Sequence, residues 1–239
     1  MKLIALDSSG LVASVAILED DVLRAEYTVN YRKTHSQTLL PMLDEIADMT
    51  GLDLKTVDAV AVSSGPGSFT GLRIGSATAK GLCLALQIPV VEVPTLAALA
   101  YNLYGADGWI CPMMDARRQQ VYNGIYHFEN GEMLTDVSER PVGVAELAAE
   151  LNERRPSRVI FLGDGVPVYR DMLTELLDQG IPRLFAPPSC SHQRAASVAA
   201  LGKLYYERGL VIKGSEHAPV YLRKSQAERE REAKKAMET

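Results

Sequence analysis

Two aspartates and two glycine turns carry the residue types that can do chemistry in this chain. Asp7 follows the apolar run Lys2–Leu6, and Asp115 follows the apolar run Trp109–Met114. A carboxylate at the end of a strand can hold a magnesium–nucleotide, or it can satisfy the N–H groups of its own turn. Gly65-Pro66-Gly67-Ser68 stands between a short apolar run, 58–62, and a long small-residue run, 76–86. A strand, a small-residue turn and a helix start offer unshielded N–H groups at the positive end of a helix dipole, where phosphates bind. The spacing is neither G-x-G-x-x-G nor a Walker loop, and no Gly-Lys-Ser/Thr follows. The alternative is a tight turn with Ser68 or Thr70 as helix cap. A phosphate loop, if present, would be built from Asp7, Ser8, Gly65, Pro66, Gly67, Ser68 and Asp115.

Other reactive side chains are scattered. His35 is the only histidine of the first half and reads as a cap or interface residue rather than a base. Cys190-Ser191-His192 has no second pair at zinc spacing, and no H-E-x-x-H occurs. Arg117-Arg118 sits in a turn that either touches a phosphate or is simply solvated. Gly71, Gly75 and Ala79 fall at i, i+4 and i+8, which makes a smooth groove on one helix face. Either the protein's own sheet or a helix of a partner fits such a groove.

The elements that position these residues repeat. Strands are expected over 2–6, 11–19 and 22–30, then a helix through 34–47 with Ser36 as cap and Gly51 as stop. The central strand and helix follow, then a strand at 90–93 and a helix over 96–104. From Gly105 the order starts again, with strands at 109–114, 120–128 and 133–140 and a helix over 144–154. A strand at 158–162, the turn Gly163-Asp164-Gly165, a helix over 169–177, a strand at 184–186 and a helix over 195–208 complete it. An internal duplication explains this order, and the last helix is expected to pack back on the first half. Hairpins followed by βα units imply mixed sheets covered by helices. The lobes are read as 1–104 and 105–223, followed by a charged tail, 224–239. In that tail Arg229, Arg231, Lys234 and Lys235 alternate with glutamates, as on a solvated helix.

Composition narrows the function classes. A chain of 239 residues with a net charge of -5 lacks a broadly basic nucleic-acid surface. Three widely spaced cysteines, no membrane-length apolar run and no signal-peptide pattern at the N-terminus point to a reducing cytoplasm.

The duplicated α/β plan, with an Asp at the first hairpin of each half, resembles the actin-like ATPase (RNase H-like) fold. That fold has two lobes, each a mixed sheet with flanking helices. The stretches Leu3–Ser9, His35–Pro41, Gly65–Gly75, Asp115–Arg118 and Pro219–Arg223 together resemble the bacterial TsaB (YeaZ) family of tRNA threonylcarbamoyladenosine biosynthesis. The resemblance implies a paralogue of the transferase TsaD. TsaD holds its metal with a His-x-x-x-His pair; forward alignment from the glycine turn puts Thr95 and Leu99 there, so the metal site is expected to be lost. The family role implied is a non-catalytic scaffold or activator that pairs with TsaD and the ATPase TsaE. It touches tRNA only through the complex and needs no cofactor of its own, with any nucleotide at the subunit interface. The helical face expected to meet the partner comprises His35, Leu39, Leu40, Leu43 and Ile46, with Gly71, Leu72, Gly75 and Ala79. The same face is expected to form a homodimer. Gly75→Leu is then expected to weaken association and leave the monomer folded. The alternatives are a free-standing actin-like phosphotransferase or ATPase and, less favoured, a metallopeptidase.

Overall fold

The computed structural model describes residues 1–31 and 35–223. The charged tail, with its arginines and lysines, lies outside the described residues. The first half runs β1 (Lys2–Asp7), β2 (Ala13–Glu19), β3 (Val22–Val29), α1 (His35–Thr50), β4 (Ala59–Gly65), α2 (Phe69–Leu86), β5 (Val90–Pro94) and α3 (Thr95–Tyr101). The second runs β6 (Trp109–Asp115), β7 (Gln120–Glu129), β8 (Glu132–Gly143), α4 (Val144–Arg154), β9 (Val159–Leu162), α5 (Val166–Leu176), β10 (Arg183–Phe185) and α6 (Ala195–Glu207).

Each half forms one five-stranded sheet, in the orders β3-β2-β1-β4-β5 and β10-β9-β6-β7-β8. The second is the first read backwards with every strand replaced by its counterpart. In both, two hairpin-linked antiparallel strands lie on one side of the first strand and two parallel strands on the other.

Alternation along the strands sorts the core into layers. Ile4 and Leu6 of β1, with Val60 and Val62 of β4, face α1 and α2. Leu3, Ala5, Ala59 and Ala61 face inward, onto a central layer of α3 and α6. Ile110, Met114 and Leu162 close that layer from the second sheet, whose other face carries α4 and α5. The last helix of each half crosses over: α6 packs on β1 and β2, and α3 packs on β6 and β7. Gly202 permits the first contact, because a β-carbon there would press on the methyl of Ala61.

The crossed helices are capped by the sheets they join. Neither α3 nor α6 has a cap from its own N-cap residue, Pro94 or Arg194. Instead, Glu139 of β8 accepts from the N–H groups of Leu96 and Ala97, at 2.7 and 3.2 Å. Glu26 of β3 accepts from Ala196 N–H at 3.1 Å. Each third strand thus carries a glutamate that receives the last helix of the other half.

Several boundaries differ from the sequence-based expectation. Ser36 lies inside α1, whose first residue is His35, so it is not the cap. The second strand starts at Ala13, because Ser9–Val12 form the turn that meets the glycine loop. Helix α5 begins directly after Gly165, three residues before the apolar spacing becomes visible. Gly51 does end α1, with φ +64 and a Leu52 N–H to Ala47 carbonyl bond at 2.9 Å.

Candidate functional site

The expected phosphate loop is built, and its groups are turned inward. Ser68 caps α2, its Oγ accepting from Gly71 N–H at 3.2 Å. Thr70, the alternative cap, lies inside the helix. Ser68 N–H donates to the Ser9 carbonyl at 2.6 Å, and Gly65 N–H to Thr95 Oγ1 at 3.2 Å. The glycines are needed for close approach to the chain itself. A β-carbon at Gly67 would collide with the Ser9 carbonyl, and one at Gly65 with the Val220 carbonyl.

Asp7 is spent in the same packing. It is 1% exposed. Its Oδ1 accepts from Ser9 N–H and Ser9 Oγ, at 2.9 and 2.7 Å, and its Oδ2 from Ser63 Oγ. Burial pushes its carboxyl up, against the hydrogen bonds from Ser63 and Ser9 that pull it down. This is a carboxylate that organises a turn.

Asp115 sits differently. It lines a cleft of about 550 Å³ between the lobes, with Gly67, Ser68, Arg117, Asp164 and Tyr221 among the other walls. Its Oδ1 accepts from Tyr169 Oη at 2.9 Å and from Arg117 N–H at 2.8 Å. The Arg117 guanidinium lies 3.2 Å from Oδ2. Asp115 N–H donates to Asp164 Oδ1 at 3.1 Å; burial pushes the Asp164 carboxyl up and this hydrogen bond draws it partly back. Arg117, Arg118 and Gln119 all have positive φ, which turns Arg117 and Arg118 outward at the tip of the second hairpin.

The C-terminal strap of residues 219–223 crosses this cleft. Val220 N–H donates to the Ser64 carbonyl at 2.7 Å. The Tyr221 ring lies 4.4 Å from that of Phe69, and its hydroxyl accepts from Arg73 Nε at 3.2 Å. Arg223 donates to the Ala116 carbonyl at 2.8 Å. The motif was visible in the sequence, but its docking on the glycine loop was not, since no local pattern encodes a contact this distant.

The expected partner face divides. Leu39, Leu43, Ile46 and Ala79 are buried in the layer between the helices and the first sheet, and Leu72 is buried beside Gly65. Gly71 and Gly75 pack on Ser8. The groove of small residues is therefore filled by the protein's own hairpin, which corrects its assignment to a partner. The reason is helix period: the stripe that pattern analysis finds is the stripe the core buries. Leu40 alone of the group is largely exposed, at 52%. His35 is half-buried, its Nε2 paired with the Gly10 carbonyl at 2.9 Å.

Cys190 and His192 offer their backbone carbonyls to Asn102 Nδ2, at 3.0 and 2.7 Å. Among the described residues no group of three His, Cys, Asp or Glu side chains could hold a metal ion. Thr95 and Leu99 are buried at the junction of the lobes. The Thr95 hydroxyl serves Gly65, and the Leu99 side chain abuts Gly163 in the second glycine turn. These two residues do not fit a metal: Leu has no donor atom and the Thr oxygen is already engaged.

A family model described as TsaD: tRNA N6-adenosine threonylcarbamoyltransferase matches residues 23–231. A Bacillus subtilis (strain 168) protein named tRNA threonylcarbamoyladenosine biosynthesis protein TsaB is 33% identical over 229 residues, covering 95% of this chain and 96% of that one. The chain belongs to the TsaB family. The fold agrees with that of TsaB relatives: YeaZ from Pseudomonas aeruginosa superposes with a TM-score of 0.79 at 32% identity, over 92% of this chain and 99% of that one. An Arthrobacter polyphosphate/ATP-glucomannokinase, at 12% identity and a TM-score of 0.52, shares the fold over 85% of this TsaB-family chain and 98% of its own. The actin-like fold class read from the duplication is thus the fold observed. No helix among the described residues is long and apolar enough to cross a membrane.

Proposed function

We propose that this chain is a non-catalytic scaffold or activator subunit in tRNA threonylcarbamoyladenosine biosynthesis. It pairs with a TsaD transferase and works with a TsaE ATPase in the cytoplasm, and it meets tRNA only through that complex. The observation that carries this reading is the junction of the lobes. Thr95 and Leu99, which the family resemblance aligns with the transferase's histidine pair, are both committed to packing the two glycine turns. The internal use of Asp7 and of the glycine loop's donors supports a chain that needs no cofactor of its own. It also argues against a free-standing phosphotransferase, which would need those groups for a nucleotide.

The partner surface in this reading is the outward side of α1 and α2. Leu40 and Leu84 are 52% and 82% exposed there, and nothing lies within 4 Å of the place a β-carbon would take at Gly81. Exposed apolar side chains and an open glycine on these two helices suit a second helical surface. Size and mass should be measured for this protein alone and mixed with the TsaD homologue from the same source. A 1:1 complex formed at the expense of any homodimer is expected, and Leu40→Arg with Gly81→Arg should abolish it while leaving the thermal transition in place. A chain that ignores TsaD and hydrolyses ATP alone would overturn the reading.

A further inference from the structure

The two glutamates that cap the crossed helices are equivalent by topology but not in how their charge is met. Glu26 is neutralised from within. Arg194, the N-cap residue of α6, donates Nε to both of its oxygens, at 3.3 and 3.1 Å, and also pairs through its terminal nitrogen. At the matching place before α3 stands Pro94, which has no charge to give. Glu139 Oε1 accepts from Leu96 N–H, Ala97 N–H and, at 3.4 Å, Tyr126 Oη. Its Oε2 has no partner among the described residues.

Where Arg194 lies in one half, the other half has a cavity. It measures about 610 Å³ and is walled by Pro94, Glu139, Tyr101, Tyr126, Tyr205 and Leu204. That volume suits a small organic ligand. Three tyrosine rings beside a carboxylate make a wall that attracts cations through both π faces and charge. Burial holds all three phenols above their ordinary range, so they remain neutral. Burial also pushes Glu139 up to about 7, the mark of a carboxylate lacking the counter-ion that its twin possesses. Arg208, which has no ion pair among the described residues, and the acidic Glu132 also line the cavity, so their opposite charges offset each other there.

We propose that the cavity beside Glu139 binds a small organic cation, a guanidinium or primary ammonium group on an aromatic or aliphatic stem. The cation takes the place that Arg194 fills in the other half, donating to Glu139 Oε2. Its stem lies against the tyrosines and Leu204. Bound there, it ties β8 to the start of α3, as Arg194 ties β3 to the start of α6.

The test is calorimetric titration of the full chain with benzylguanidine, benzylamine and benzyl alcohol, three probes of similar shape. Benzylguanidine and benzylamine should each bind about tenfold or more tightly than the neutral alcohol, the return of one charge-assisted contact. Glu139→Gln should remove that preference. Pro94→Arg, which leaves Glu139 in place and supplies the internal cation of the other half, should weaken the cationic probes about tenfold or more and protects the test against misfolding of the first variant. Equal binding of all three probes, or cation binding unchanged in a folded Pro94→Arg, would overturn the proposal. So would failure of both cations to bind at millimolar concentration.

Discussion

Ser8 lies directly beneath Gly71. Its carbonyl oxygen fills the place a β-carbon would take at 71, and its hydroxyl donates to the Gly71 carbonyl at 2.8 Å. The same hydroxyl blocks the β-carbon position of Gly75 one turn on. The first hairpin and α2 are thus seated on each other through a glycine face. Gly75→Leu is therefore expected to destabilise the fold of the chain itself rather than merely to weaken association. Overpacking against a buried hairpin costs about 3 kcal/mol or more for so large a side chain. Urea denaturation of Gly75→Ala and Gly75→Leu should show graded losses. A Gly75→Leu protein with wild-type stability would return the groove to the surface.

Asp7 makes the complementary prediction. Asp7→Ala leaves two hydroxyls and one N–H without their acceptor in a site 1% exposed. That should cost about 3 kcal/mol or more, at 1–3 kcal/mol for each orphaned group. Asp7→Asn keeps an acceptor for Ser9 and removes a buried charge, so it should fold within about 1 kcal/mol of wild type. It should also still pair with TsaD. An Asp7→Asn chain that folds fully but loses activation of the transferase would instead make Asp7 a ligand-binding group.

The duplication was readable because it is written in local patterns: alternating strands, helix spacing and glycine turns recur in one order in both halves. Ser68 as a cap and Gly51 as a stop were readable for the same reason, since each acts within a few residues. Helix periodicity marks the buried stripe, so of the nine residues expected at the partner face only Leu40 stands largely exposed. The glutamates at 26 and 139 were missed outright. Each acts on a helix that begins over forty residues away or in the other half of the chain. The signal lay in an acidic residue on the third strand of each half, where strand patterning alone calls for nothing in particular.

Tyr221 tests how firmly the C-terminal strap is seated. Its ring meets Phe69, and the Arg73 guanidinium that donates to its hydroxyl also lies over the Phe69 ring, 4.1 Å from the centroid. Tyr221→Ala should lose about 1–2 kcal/mol from the ring contact and the hydroxyl together. Tyr221→Phe should lose about 0.5 kcal/mol, because its hydrogen bond is exposed. Limited proteolysis should cut after Arg223 or Arg73 faster in the alanine variant only. Equal cleavage in all three proteins would mean that the strap is held by Val220 and Arg223 alone.

Glu139 sets a pH dependence whose sign is fixed by its direction of shift. Its carboxyl moves from 4.5 to about 7 on folding, chiefly through burial, while the N–H groups of Leu96 and Ala97 and the Tyr126 hydroxyl oppose the change. Between those values the folded chain holds a proton that the unfolded chain has released. Stability from this group is therefore greatest at the acid end and falls as pH rises through 7. Discounted for the side chain's partial exposure, the loss should be about 1–2 kcal/mol across the window. Glu139→Gln keeps an acceptor for the α3 N–H groups and carries no titrating proton, so its urea midpoint should vary less between pH 5 and pH 7.5. The difference between the two proteins should open steadily with pH, in favour of the glutamine variant. Parallel curves would show that Glu139 ionises in the folded chain as it does in the unfolded one. A curve in which wild type gains on the variant with rising pH would mean that a cation already pairs with the carboxylate.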